Sequence, residues 1–258
     1  MNEPIDCRFS LKGKVAVVTG GGRGLGQALA LGLAASGAAV AVVGRTPSAL
    51  DVTVEKVSAM GGRALAVRAD LTDLQEIEKI ATAVLSANGR IDVLVNNAAA
   101  GAPFKPAEEV TPEEWDAVMR TNLRGTFFLT TRVAREMKTT GGGSIINITS
   151  IMGEVAGPKA SVYCASKGGL RQLTRTLAVE WARYGIRVNA VAPGYIRTEL
   201  TGELQDNLEL NEYVMTRTPM RRWAAPGEFV GAVVYLASDA SSFQTGQTIV
   251  VDGGWTAW

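Results

Sequence analysis

Lys14-Val-Ala-Val-Val-Thr19-Gly-Gly-Gly-Arg-Gly-Leu-Gly26 begins with an apolar run that does not alternate. Such a run is what a strand buried on both faces by helices requires. It ends in glycines, and Leu25, Leu29 and Leu33 then recur at helical spacing, so the order is strand, glycine loop, helix. Glycine lets a backbone pass close to a pyrophosphate, whose charge is met by the free N–H groups and dipole at a helix N-terminus. Gly20, Arg23, Gly24, Leu25 and Gly26 are therefore candidate cofactor contacts. An ordinary βα turn would use similar glycines, but the position after a buried strand favours a dinucleotide.

Outward from this unit, a second strand, Ala39 to Val43, ends at Gly44-Arg45-Thr46. Dinucleotide folds place an acid here to hold the adenine ribose, or an arginine to accept a 2′-phosphate. No acid is present. Gly44 does not repel a phosphate, and Arg45 with Arg23 can clamp one, which points to NADP(H) in preference to NAD(H). Solvated surface is the alternative for Arg45. A helix around Leu50 to Met60, a strand Ala64 to Arg68, a helix from Asp73 to about Ala87 and a strand Ile91 to Val95 follow, an alternation that implies right-handed βαβ units and a parallel sheet. Asp70 and Leu71 lie past the third strand, where Asp70 either contacts an adenine or caps its own loop. Asn96-Asn97 can make a strand-end turn by side-chain bonds. Thr111-Pro-Glu-Glu is a helix start, with Thr as N-cap and Glu at N3, and the helix runs on to about Met137. It carries Asn122, either a surface residue or an inward polar group needing a partner.

A fifth strand delivers Ser150, and a loop then leads to Ser161-Val-Tyr163-Cys-Ala-Ser-Lys167. Tyr163 and Lys167 are four apart, so on a helix they share a face where an ammonium lowers the pKa of a phenol. Ser161 reads as the helix N-cap and Cys164 as a small packing residue. With no histidine in the chain, His-dependent triads and the usual zinc sets are excluded, and proton transfer falls to Tyr, Lys, Asp, Glu or Ser. A sixth strand, Ile186 to Val191, leads to Pro193-Gly194. The polar, irregular stretch around 195–225 is too long for a connector and reads as a substrate lid. A helix from Gly227 to Ala237 and a strand Gln247 to Val251 complete the sheet. The aromatic tail Asp252 to Trp258 is expected to pack on this subunit or a neighbour.

With 47% hydrophobic and 20% charged residues and a net charge of +1, the 258 residues suit a single domain spanning 1–258. No basic patch interleaved with aromatics suggests nucleic acid, and no apolar run approaches the ~20 residues of a membrane span. The start lacks a signal-peptide core, so a cytoplasmic protein with reduced Cys7 and Cys164 is expected.

Five motifs in order resemble the short-chain dehydrogenase/reductase family, in its compact one-domain branch, over essentially the whole chain: Thr19-Gly-x-x-x-Gly-x-Gly26, Asn96-Asn-Ala98, Ser150 with Tyr163-x-x-x-Lys167, Pro193-Gly194 followed by Thr198, and Asp252-Gly-Gly. The resemblance implies a Rossmann-type doubly wound α/β domain, a parallel sheet of about seven strands with helices on both faces. It implies an enzyme in which Tyr163 is general acid/base, Lys167 binds the nicotinamide ribose and depresses the tyrosine pKa, Ser150 orients the substrate oxygen and Asn122 holds a relay water. Pro193, Gly194, Ile196 and Thr198 would flank the nicotinamide, and Asn97 the adenine ribose. A homotetramer acting on a small molecule is implied as well. Ala99 stands where the family has glycine, which puts loop detail in question. Arg217-Thr-Pro-Met-Arg-Arg-Trp223 and the closing Val-Asp-Gly-Gly-Trp are similar to sugar-acid and polyol dehydrogenases of the family. A 3-oxoacyl thioester reductase shares nearly the same scaffold, and a non-catalytic NADP(H)-sensing protein is the alternative from another class, though it would not need all four of Ser150, Tyr163, Lys167 and Asn122.

Overall fold

A computed structural model describes residues 5–257; Trp258 of the aromatic tail and the first four residues of the expected cytoplasmic start lie outside the described residues. Seven parallel strands, β1 (Val15–Thr19), β2 (Ala39–Gly44), β3 (Arg63–Arg68), β4 (Val93–Asn96), β5 (Gly143–Ile148), β6 (Ile186–Pro193) and β7 (Thr248–Val251), form one sheet in the order β3-β2-β1-β4-β5-β6-β7. The chain winds outward from β1 in one direction and from β4 in the other. The strand order therefore reverses between β1 and β4, which in open α/β sheets marks the ligand crevice at the carboxyl ends.

After a short helix α1 (Ile5–Arg8), the sheet is wrapped by α2 (Gly24–Ala35), α3 (Pro47–Ala59), α4 (Leu74–Asn88), α5 (Pro112–Met119), α6 (Thr126–Thr139), α7 (Ser161–Trp181), α8 (Gly202–Asp206), α9 (Leu208–Arg217) and α10 (Val230–Ala237). The unbroken apolar strands have their reason here. Val15 and Val17 pack with Ile77, Ile80, Val133 and Leu177 on one face, while Ala16 and Val18 pack with Leu29, Leu33, Val233 and Leu236 on the other.

The structure moves three expectations. The helix placed from Leu50 starts at Pro47, because Pro is favoured at a first turn whose N–H is unused. Ser161 is the first helical residue of α7 and not its cap; Ala160 precedes it with no side-chain cap. The stretch read as irregular after Glu199 is mostly helical, formed by α8 and α9, with Asn207 capping α9 through its side chain. Polar helix-forming residues hid that periodicity. The Thr111 capping box is present as read from the sequence.

Candidate active site

Thr19, at the end of β1, ties the two halves of the sheet together at the crevice. Its hydroxyl donates to Val95 O and accepts from the N–H groups of Asn97 and Ala98 at 2.9 and 3.0 Å. Asn97 returns a side-chain donor to Thr19 O at 2.9 Å, so its amide is engaged in holding the glycine loop. The loop is tight: a Cβ on Gly26 would lie 2.1 Å from Gly20 O, and Gly20 itself has φ +66°. Gly24 has φ +52°, and a Cβ there would meet Thr198 Cγ2 at 3.5 Å, ordinary van der Waals contact. The glycine loop thus lies against the segment that begins at Thr198. Arg23 gives α2 no side-chain cap and the first turn carries no acid, so its orphan N–H groups remain available to an anion. These features fit a dinucleotide pyrophosphate.

Arg45 is exposed at the end of β2, beside Asp70, because Ala69 N–H donates to Gly44 O at 2.9 Å. The Asp70 carboxyl is held below its ordinary range, first by the Thr72 backbone N–H, with smaller help from the Thr72 hydroxyl, Arg45 and Arg68. Its local capping role is therefore realised. Leu71, read with Asp70 as a candidate contact, is buried in the core, and Gly125 packs directly on its carbonyl. Arg23, expected to assist Arg45, is ion-paired with Glu199 at 3.2 Å. Leu25 is partly buried against the core beneath the loop.

At the other side of the crevice, β5 ends at Ile148 and Ser150 is buried immediately beyond, its hydroxyl accepting from Met152 N–H at 3.1 Å. Lys167, 3% exposed, donates from Nζ to Ile148 O at 2.8 Å, which locks α7 against the strand that carries Ser150. Tyr163 lies one turn earlier, its ring centre 5.7 Å from that ammonium. Burial pushes the Tyr163 phenol above its usual value, opposed by a hydrogen bond with Ser150. Burial likewise lowers Lys167, to about 8.

Asn122 is an inward residue with every partner it needs. It sits in a single π-helical stretch, Arg120–Gly125, between α5 and α6, where the straight helix expected from the sequence is widened. Its Oδ1 accepts from Ala100 N–H at 2.7 Å, and its Nδ2 donates to Ser166 Oγ at 3.2 Å; Ser166 in turn donates to the Tyr163 carbonyl at 2.9 Å. Ser166, unremarked in the sequence, is the link. Ala99 is not among the residues of positive φ, so replacing the family glycine introduces no left-handed strain. Cys164, read as a packing residue, is partly exposed.

Pro193-Gly194 is pinned beside Asp252, with Gly194 N–H donating to Val251 O at 2.9 Å. Ile196 forms a bridge with Ala224, so the stretch read as a lid leaves and rejoins the body at one point. Thr198 caps the turn at its root, sharing hydrogen bonds with Thr201. Residues 20–256 match the family profile described as enoyl-(acyl carrier protein) reductase. Gluconate 5-dehydrogenase of Gluconobacter oxydans is 42% identical over 248 residues, 96% of each chain.

The chain belongs to the short-chain dehydrogenase/reductase family. It is an enzyme of that family, and its single sheet with helices on both faces is the family's fold. A 2-dehydro-3-deoxy-D-gluconate 5-dehydrogenase of Escherichia coli is 42% identical over 250 residues, covering 96% of this chain and 98% of that one. Among solved structures, a gluconate 5-dehydrogenase from Burkholderia cenocepacia in complex with NADP and tartrate superimposes with a TM-score of 0.95 at 39% identity, over 99% of this chain and all of that one. No helix among the described residues of this dehydrogenase/reductase is long and apolar enough to cross a membrane.

Proposed function

We propose that this chain is an NADP(H)-dependent oxidoreductase that interconverts a secondary alcohol and a ketone on a sugar acid. The observation that carries it is the convergence of Ser150, Tyr163 and Lys167 at the ends of β5 and α7, with Asn122 tied through Ser166 to the Tyr163 carbonyl. Bound NADP supplies or accepts the hydride and, when oxidised, adds positive charge near the phenol. Tyr163 moves the proton at the substrate oxygen, and the Ser150 hydroxyl orients that oxygen by donating a hydrogen bond to it. Lys167, anchored on Ile148 O, holds a cation under the same point. Asn122 keeps the loop at Ala100 in place and holds a relay water.

The glycine loop, Arg45 and the Pro193–Thr198 segment hold the cofactor in this reading, with Asn97 supporting the loop. The relatives' sugar-acid names and the NADP and tartrate of the Burkholderia structure support the substrate class. A homotetramer in the cytoplasm completes the proposal; exposed Trp115, Phe128 and Val179 are the apolar surface an assembly would cover. Turnover of D-gluconate, 5-keto-D-gluconate, polyols and a 3-oxoacyl thioester with NADP(H) and NAD(H) tests it. Fastest turnover of a sugar acid with NADP(H) is expected; thioester reduction without sugar-acid turnover would overturn the substrate class. NADPH binding without any turnover would leave only a sensor.

A further inference from the structure

β5 and β6 run in register, with Ile148 opposite Val191 and Thr149 N–H donating to Val191 O at 2.9 Å. Tyr195 therefore leaves the sheet edge just beyond the neighbour of Ser150. Its ring is gripped by two buried indoles, Trp255 at 4.9 Å and Trp223, edge-on, at 5.4 Å. Trp223 is itself fixed by donating to Asn211 Oδ1 at 2.8 Å. The Trp255 platform is rigid as well. The Asp252 carboxylate accepts from the Gly254 and Thr256 N–H groups at 2.9 and 2.8 Å, and Met220 N–H donates to Gly253 O at 3.1 Å. Burial pushes the Tyr195 hydroxyl up to about 12, so it stays a hydrogen-bond donor at any working pH.

Arg217, the last residue of α9, places its guanidinium 5.8 Å from the centre of the same Trp255 ring. Two other arginines of this region are occupied: Arg222 makes two 2.7 Å bonds to Glu228, and Arg23 pairs with Glu199. Arg217 has no carboxylate within ion-pair distance among the described residues. A guanidinium stacked on an indole has already lost much of its freedom and still presents N–H groups at its edge, the arrangement that recognises a carboxylate.

We propose that Arg217 and Tyr195, brought together on the indole of Trp255, form the subsite that receives the carboxylate of the substrate. The proposal builds on the sugar-acid reading above. Arg217 supplies the charge and Tyr195 a fixed neutral donor. Both are specificity-determining residues that leave the reacting carbon to Ser150 and Tyr163.

The test is steady-state kinetics on D-gluconate, or the sugar acid of the panel turned over fastest, for wild type, Arg217→Gln, Arg217→Lys and Tyr195→Phe, with thermal unfolding to confirm the fold. Arg217→Gln should raise KM about 10- to 100-fold, with kcat changing much less, as loss of a charge-assisted hydrogen bond predicts. Arg217→Lys should fall between, and Tyr195→Phe should raise KM by up to about tenfold. Salt at about 0.5 M should raise the wild-type KM and leave that of Arg217→Gln nearly flat. A folded Arg217→Gln enzyme with wild-type KM, or one that loses kcat alone, overturns the subsite while the sugar-acid reading stands. A wild-type enzyme that turns over no sugar acid overturns both.

Discussion

The ends of β5 and α7 and the segment between β6 and α10 face one crevice, yet different forces hold them. Around Tyr163 the fixing contacts are buried hydrogen bonds to backbone: Lys167 to Ile148 O, Ser166 to Tyr163 O, and Asn122 between Ala100 and Ser166. Around Tyr195 they are aromatic faces and edges, with exposed arginines outside them. Directional bonds to a backbone allow one geometry and punish any substitution that leaves a partner unpaired. Aromatic contacts tolerate exchange of neighbours at modest cost. In the proposed reading, the groups around Tyr163 stay fixed while the surface around Tyr195 can vary.

The largest effect should come from the rigid side. Tyr163→Phe removes the proton carrier and leaves the ring and backbone bonds in place. It should lower kcat on the order of 10³-fold or more while the NADPH dissociation constant, read by cofactor fluorescence, stays within about twofold. Substantial residual turnover would remove Tyr163 from the chemistry and collapse the contrast between the two regions.

Lys167 gives a second and smaller signal, in stability. Its folded-state pKa, about 8, lies below the 10.5 of the unfolded chain, so between those values the unfolded chain binds more protons and stability rises with pH. Below pH 8 both states are protonated and the desolvation cost is carried in full. Lys167→Met removes that cost along with the pH dependence. The difference between variant and wild type should shrink from an order of 3 kcal/mol near pH 7 toward zero above pH 10.5, as denaturant titrations would read it. A difference independent of pH would mean that Lys167 titrates as a solvated lysine, contrary to its burial.

These two regions were not equally legible in the sequence. The fold was readable because a parallel sheet needs unbroken apolar strands and βα turns need glycine, both local signals. Ser150, Tyr163 and Lys167 were readable for a related reason: strand end and helical spacing place them together without knowledge of anything else. The inward turn of Asn122 was not, since a π stretch depends on packing against Leu71 O and Ser166, residues far away in sequence. Likewise no periodicity connects Tyr195, Trp223 and Trp255, which meet only after β6 and β7 pair and bring Gly194 against Asp252. The helices α8 and α9 were missed because their exposed faces are polar nearly all round, leaving Val214 as the buried residue of α9.

Cofactor choice lies on the border between the regions. Arg45 is exposed, and Asp70 beside it has its carboxylate occupied by Thr72. Arg45→Ala should therefore lower kcat/KM for NADP by roughly 10-fold or more and leave that for NAD nearly unchanged, the size of one charge-assisted contact to a phosphate. An equal loss with both cofactors would return Arg45 to plain surface.

The smallest effect should come from the contact that joins the two regions directly. Arg23 on the glycine loop and Glu199 at the lid root are paired at 3.2 Å with side chains 60% and 74% exposed, so the pair itself contributes no more than about 1 kcal/mol. Its consequence is competition. While Glu199 holds Arg23, that guanidinium is withheld from a cofactor phosphate, and the carboxylate adds repulsion. Glu199→Gln should tighten NADP about two- to fivefold in a fluorescence titration at low salt, and the gain should fade as salt screens both terms. If the variant instead binds NADP more weakly, the pair acts to position the loop, and lid and glycine loop work as one rigid unit at this point.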